Sequence, residues 1–93
     1  MEKTQRCKVH IFGDEYSLVT NEPAEHIVQA AHMVDVLMRE ISEKSAISQE
    51  KKVAVLAALR MASKIVALES EIAQERQKEK TIIEQIDKAL LSA

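Results

Sequence analysis

The chain has 93 residues, enough for one domain and no more, and its balance of 46% hydrophobic to 30% charged residues excludes a disordered polypeptide. A formal net charge of −2 excludes a global basic field for phosphate backbones, and a single Phe and a single Tyr are too few for a base-stacking platform. The longest apolar runs, broken by Arg60, Ser63 and Lys64, fall short of a membrane span.

Met1 to Lys8 is polar and carries no signal-peptide pattern, and the single Cys7 has no internal disulfide partner. Both features lead us to expect a cytoplasmic protein. The only Gly and the only Pro, Gly13 and Pro23, lie in the first quarter of the chain. Since these residues punctuate chain direction, everything beyond Pro23 has few corners.

From about residue 8 to 20, apolar residues alternate at period two around Gly13-Asp14. A two-residue loop with Gly first predicts a type II′ hairpin turn. That loop sets Phe12 opposite Glu15, Ile11 opposite Tyr16 and Val9 opposite Leu18. One face then gathers Val9, Ile11, Tyr16 and Leu18, and the other carries Lys8, His10, Phe12, Glu15, Ser17 and Val19, so turn and patterning agree.

A first helix is predicted over about residues 22–44, capped by Asn21 or Glu22, with Pro23 in its first turn, where a missing N–H is harmless. Its apolar stripe is Ile27, Ala30, Ala31, Val34, Leu37, Met38 and Ile41. Ser45-Ala46-Ile47 is a short connection, Ser48 a suitable N-cap, and Glu50 complements the dipole of the next helix.

From Gln49 to about Leu91 nothing breaks a helix. At 1.5 Å per residue such a segment extends roughly 65 Å, whereas a compact globule of this length has a diameter of about 30 Å. The distal half must meet another chain or stay in water. Val53 to Leu68 is apolar on several faces, wide enough for both the hairpin and a partner subunit. Further on, the stripe narrows to a heptad seam with Ile65, Ile72, Glu79 and Ile86 at a and Leu68, Glu75, Ile82 and Ala89 at d. Ile83 and Leu90 at e widen it again, which favours more than two helices at that end. A lone two-stranded sheet is marginal in water and exposes its edges, so the hairpin also argues for association.

Catalytic chemistry finds no foothold. His26 and His32 are six apart and do not share a helix face as i,i+4 metal ligands would, and His10 is remote from both. Cys7 lacks a CxxC partner and a positioned base, so an inert thiol is expected. Asp14-Glu15 reads as a solvated turn rather than an acid–base pair, and one glycine cannot build a phosphate-cradling loop. Glu75 to Lys80 reads as a solvated coiled-coil face, and Met33, Met38 and Met61 as core filling. The expectation is a non-enzyme without cofactor or metal.

Val9-His-Ile-Phe-Gly13 followed by Tyr16-Ser-Leu resembles the opening of the ZapA family, the FtsZ-associated cell-division proteins. Gln29-Ala-Ala31 and the later Val55-Leu-Ala-Ala-Leu59 with Met61-Ala-Ser are similar too, in family order and at family spacing. The resemblance covers about residues 8–72, with a family-like helical tail beyond. It implies an α+β, predominantly α protein: a hairpin-plus-helix head (about residues 1–68) and a long coiled-coil stalk (69–93) within one structural domain. It further implies a dimeric head, dimers joined into an antiparallel tetramer, and binding to FtsZ polymers that bundles them at midcell.

Relatives of this kind present basic residues near the hairpin turn and the inter-helix loop. Here the turn is acidic (Asp14, Glu15), and the basic candidates are Arg39, Lys44, Lys51 and Lys52. These six form the expected FtsZ-facing surface. Ile65, Leu68, Ile72, Ile82, Ile83, Ile86 and Leu90 form the expected oligomerisation stripe. A coiled-coil adaptor with another partner is the alternative; neither nucleic acid nor membrane is an expected partner.

Overall fold

A computed structural model describes residues 3–92. Strand β1 (Gln5–Ile11) and strand β2 (Asp14–Thr20) form an antiparallel hairpin, followed by helix α1 (Ala24–Ser45) and helix α2 (Glu50–Leu91). The α+β, predominantly α class read from the sequence is the class observed.

The hairpin differs from expectation in its turn. The loop residues are Phe12 and Gly13, with φ of 51° and 86°, and Ile11 pairs with Asp14. Positive φ at both central positions is the type I′ geometry, whose twist matches that of the flanking strands. Gly13 adopts it freely; Phe12 adopts it because its N–H is held at 2.7 Å by the carboxylate of Asp35 on α1. The pairing therefore becomes Val9 with Tyr16 and Cys7 with Leu18. A displacement of two residues preserves strand parity, so the apolar face keeps its members and gains Cys7.

Helix α1 lies on the β1 half of that face. Cys7 and Val9 are buried with Ala31, and Ile11 and Ile27 pack around them. The β2 half, with Tyr16 and Leu18, stays exposed. Pro23, rather than Asn21 or Glu22, occupies the N-cap of α1: its carbonyl accepts from His26 and Ile27. The preceding chain is turned by Thr20, whose Oγ1 accepts from the N–H of Glu22. A proline that begins rather than enters the helix leaves no interior N–H missing.

At the other end Ala46 is left-handed (φ 56°) and closes α1. The Ser42 hydroxyl donates to the Ile47 carbonyl, and the Ser45 hydroxyl to that of Ile41. The N-cap of α2 falls on Gln49, whose carbonyl accepts from Val53, one residue beyond the expected Ser48. Val53 and Ala57 are the buried residues of α2, and Val53 is fully enclosed.

The chain divides into two compact units at Ala58 and Leu59. The first holds the hairpin, α1 and the opening turns of α2. The second is helix alone, and every described residue from 62 onward is exposed.

Candidate interaction surfaces

The hairpin tip is fastened to α1 by one carboxylate. Asp35 Oδ1 accepts from the Phe12 N–H, and the Arg39 Nε donates to Oδ1 and Oδ2, both at 3.1 Å. The Phe12 N–H lowers the Asp35 pKa, and the Arg39 guanidinium and His32 add to that effect, against a smaller opposing desolvation. The carboxylate thus stays ionised and holds the turn and the Arg39 side chain at one end of the head. Sequence reasoning missed Asp35. The available signal was a single acid inside the apolar run Met33-Val34-Asp35-Val36-Leu37-Met38, where a charge without a partner would be costly.

Beside that tip lies an apolar groove of about 550 Å³, lined by Ile11, Phe12, Tyr16, Leu18, Met38, Glu50, Lys51 and Ala54. It brings Lys51 next to the hairpin turn. Lys52 instead lines a second depression with Gln49, Lys51, Val55 and Leu56. Asp14 and Glu15 open β2 and are exposed, and Glu15 lies 4.0 Å from Lys8, a solvent-screened pair of small energetic weight. Arg39 is committed to Asp35, and Lys44 pairs with Glu40 at 2.9 Å. Asp14, Arg39 and Lys51 therefore gather near the turn. Lys44 and Lys52 do not line that groove.

In the second unit, Ile65, Leu68, Ile72, Ile82, Ile83, Ile86 and Leu90 are all exposed, from 44% at Leu68 to 72% at Leu90. The polar interval carries an exposed Lys78–Glu75 pair at 3.5 Å. Seven large aliphatic side chains exposed on one helix form an apolar surface of the kind that marks an interaction site. Among the described residues no group of three His, Cys, Asp or Glu side chains is placed to hold a metal, and no helix is long and apolar enough to cross a membrane.

The chain is similar in sequence and fold to known proteins. The family model for the cell division protein ZapA matches residues 7–90. A cell division protein ZapA from Geobacillus sp. (strain WCH70) is 37% identical over 70 residues, covering 75% of this chain and 80% of that protein. One from Bacillus thuringiensis (strain Al Hakam) is 35% identical over 69 residues, covering 74% and 78%. Among solved structures, a ZapA mutant dimer from Geobacillus stearothermophilus superposes with a TM-score of 0.70 at 35% identity, covering 86% of this chain and 93% of that one. An unknown conserved bacterial protein from Pseudomonas aeruginosa PAO1 shares the fold, with a TM-score of 0.73 at 24% identity over 95% and 98% of the two chains.

Proposed function

This chain belongs to the ZapA family of cell division proteins, and from that membership we propose that it binds FtsZ polymers and cross-links them at the division site. The observation that carries the reading is the uncovered aliphatic stripe of α2. A helix bearing Ile65, Ile72, Ile82 and Ile86 on one side is built to be shared between subunits. A relative of the same fold is a dimer, which supports a dimeric head here too.

In this account the end of the head that gathers Asp14, Arg39 and Lys51 meets the filament. The distal stripe, broadened by Ile83 and Leu90, joins two dimers. Once one head pair is attached, the other faces the next filament at high effective concentration, so modest affinity per head still gives stable bundles. The protein acts by binding and joining, without catalysis or cofactor, in the cytoplasm at midcell.

Co-pelleting with polymerised FtsZ tests the reading. The protein is expected in the pellet with polymer and in the supernatant without it. A coiled-coil adaptor for another partner would stay in the supernatant in both cases, and that result would overturn the proposal.

A further inference from the structure

The two-stranded sheet leaves the outer edge of each strand unpaired among the described residues, and the chemistry along that of β1 is one-sided. With Ile11 and Asp14 as the closing pair of a two-residue loop, Cys7, Val9 and Ile11 direct their backbone groups to β2. Arg6, Lys8 and His10 direct theirs to the opposite edge, and among the described residues no further strand pairs with β1. That edge borders a groove of about 200 Å³ whose other wall is Val28, Ala31 and His32 of α1. The side chains of Arg6, Lys8 and His10 are exposed and share one face of the sheet. Glu15 stands 4.0 Å from Lys8 on that face.

We propose that the open edge of β1 accepts an extended acidic segment of a partner protein by strand addition. Three alternate backbone N–H and C=O pairs supply the ladder, and the groove along α1 takes every second side chain. The register fixes the ligand's chemistry. Residues opposite Arg6, Lys8 and His10 fall on the basic face and are carboxylates. The intervening residues face Val28 and are small and apolar. A second copy of β1 is a poor occupant, because antiparallel self-pairing about Lys8 sets Lys8 against Lys8 and Arg6 against His10. This groove shares no lining residue with the one beside Lys51, and the proposal does not depend on the filament reading.

The probe is an acetylated seven-residue peptide alternating valine and glutamate, matched to the seven residues of β1 and titrated into the full chain by fluorescence anisotropy. The carboxylate-bearing residues are the ones whose amides bond to β1. N-methylation of the glutamate amides is therefore expected to weaken binding about tenfold or more, equivalent to roughly 1.4 kcal/mol, while N-methylation of the valine amides leaves it intact. The Arg6→Glu, Lys8→Glu double variant, confirmed folded by circular dichroism, is expected to lose the peptide to a similar degree. A valine–lysine peptide is expected not to bind. Equal binding of both N-methylated peptides would reduce the effect to charge alone and overturn strand addition, as would absence of saturable binding to the folded protein. A change in sedimentation mass of the double variant, with peptide affinity unchanged, would assign the edge to a second copy and likewise overturn the proposal. FtsZ co-pelleting of the same samples is scored separately, so the two readings fail independently.

Discussion

The carboxylate of Asp35, in the middle of α1, accepts the backbone N–H of Phe12 at the tip of the hairpin, 2.7 Å away and 23 residues distant in sequence. This bond joins the hairpin to α1, two of the elements that bear the candidate filament surface, and holds Phe12 in its left-handed conformation. Since the Phe12 N–H and then Arg39 hold the folded carboxyl below its ordinary 3.8, the folded state binds that proton less tightly than the unfolded chain. The resulting stabilisation is fully present above the ordinary carboxylate range and is lost as pH falls through the lower folded pKa. Asp35→Ala is expected to lower the thermal midpoint at neutral pH and to flatten the acid limb of stability. Asp35→Asn keeps an acceptor for Phe12 and is expected to be milder at neutral pH, with the same flattened limb. Thermal melts monitored by circular dichroism between pH 2 and 7 check both.

Besides Phe12, two positions hold the chain left-handed, with opposite consequences for substitution. Gly13, at φ 86°, has open space where a methyl group would project, so Gly13→Ala carries backbone strain alone and is expected to destabilise by about 1 kcal/mol. Ala46, at φ 56°, already bears that strain at the end of α1, and Ala46→Gly is expected to stabilise by about 1 kcal/mol. Denaturant midpoints at unchanged m-value report both.

Val53 is fully enclosed whereas Val55, two residues on, is 59% exposed. Val53→Ala is expected to destabilise the head by about 1–3 kcal/mol. Val55→Ala is expected to leave the stability of the isolated chain within about 0.5 kcal/mol. If α2 seats a second subunit here, the melting temperature of the unaltered protein rises with concentration and Val55→Ala lowers it at a given concentration, which a dilution series of melts detects.

The sequence revealed the order of elements, the two strand faces and the extent of α2, because each rests on a periodicity that few alternatives share. It misplaced the hairpin turn by one residue. Gly-first loops suggest a type II′ turn, and the deciding interaction, Asp35 with Phe12, lies 23 residues away on another element. The cap at Pro23 was displaced for a related reason. Thr20 turns the chain with its hydroxyl, so the helix begins without a side-chain cap. The groove beside Lys51 was not legible at all, since Phe12, Met38 and Ala54 come from three elements whose meeting no local pattern encodes.

Lys51 and Lys52 are exposed, and no shift of fold is expected from replacing them. The double variant Lys51→Glu, Lys52→Glu is expected to weaken co-pelleting with FtsZ by about tenfold while sedimentation mass stays constant. Full retention of co-pelleting would move the contact to another part of the head.

The distal stripe makes the remaining prediction. Ile82 and Ile86 are 55% and 53% exposed on the chain alone, and a charge at either is expected to separate joined dimers, since a glutamate buried in an apolar seam lacks a partner. Sedimentation equilibrium is expected to show Ile82→Glu and Ile86→Glu at half the mass of the unaltered assembly, with binding to single filaments preserved.

Electron microscopy of FtsZ filaments with the unaltered protein and with Ile86→Glu tests the joining of filaments most directly. The account predicts filaments aligned at a regular spacing with the former and single, decorated filaments with the latter. Filaments that remain single with the unaltered protein bound, or bundles that persist with Ile86→Glu, would contradict it.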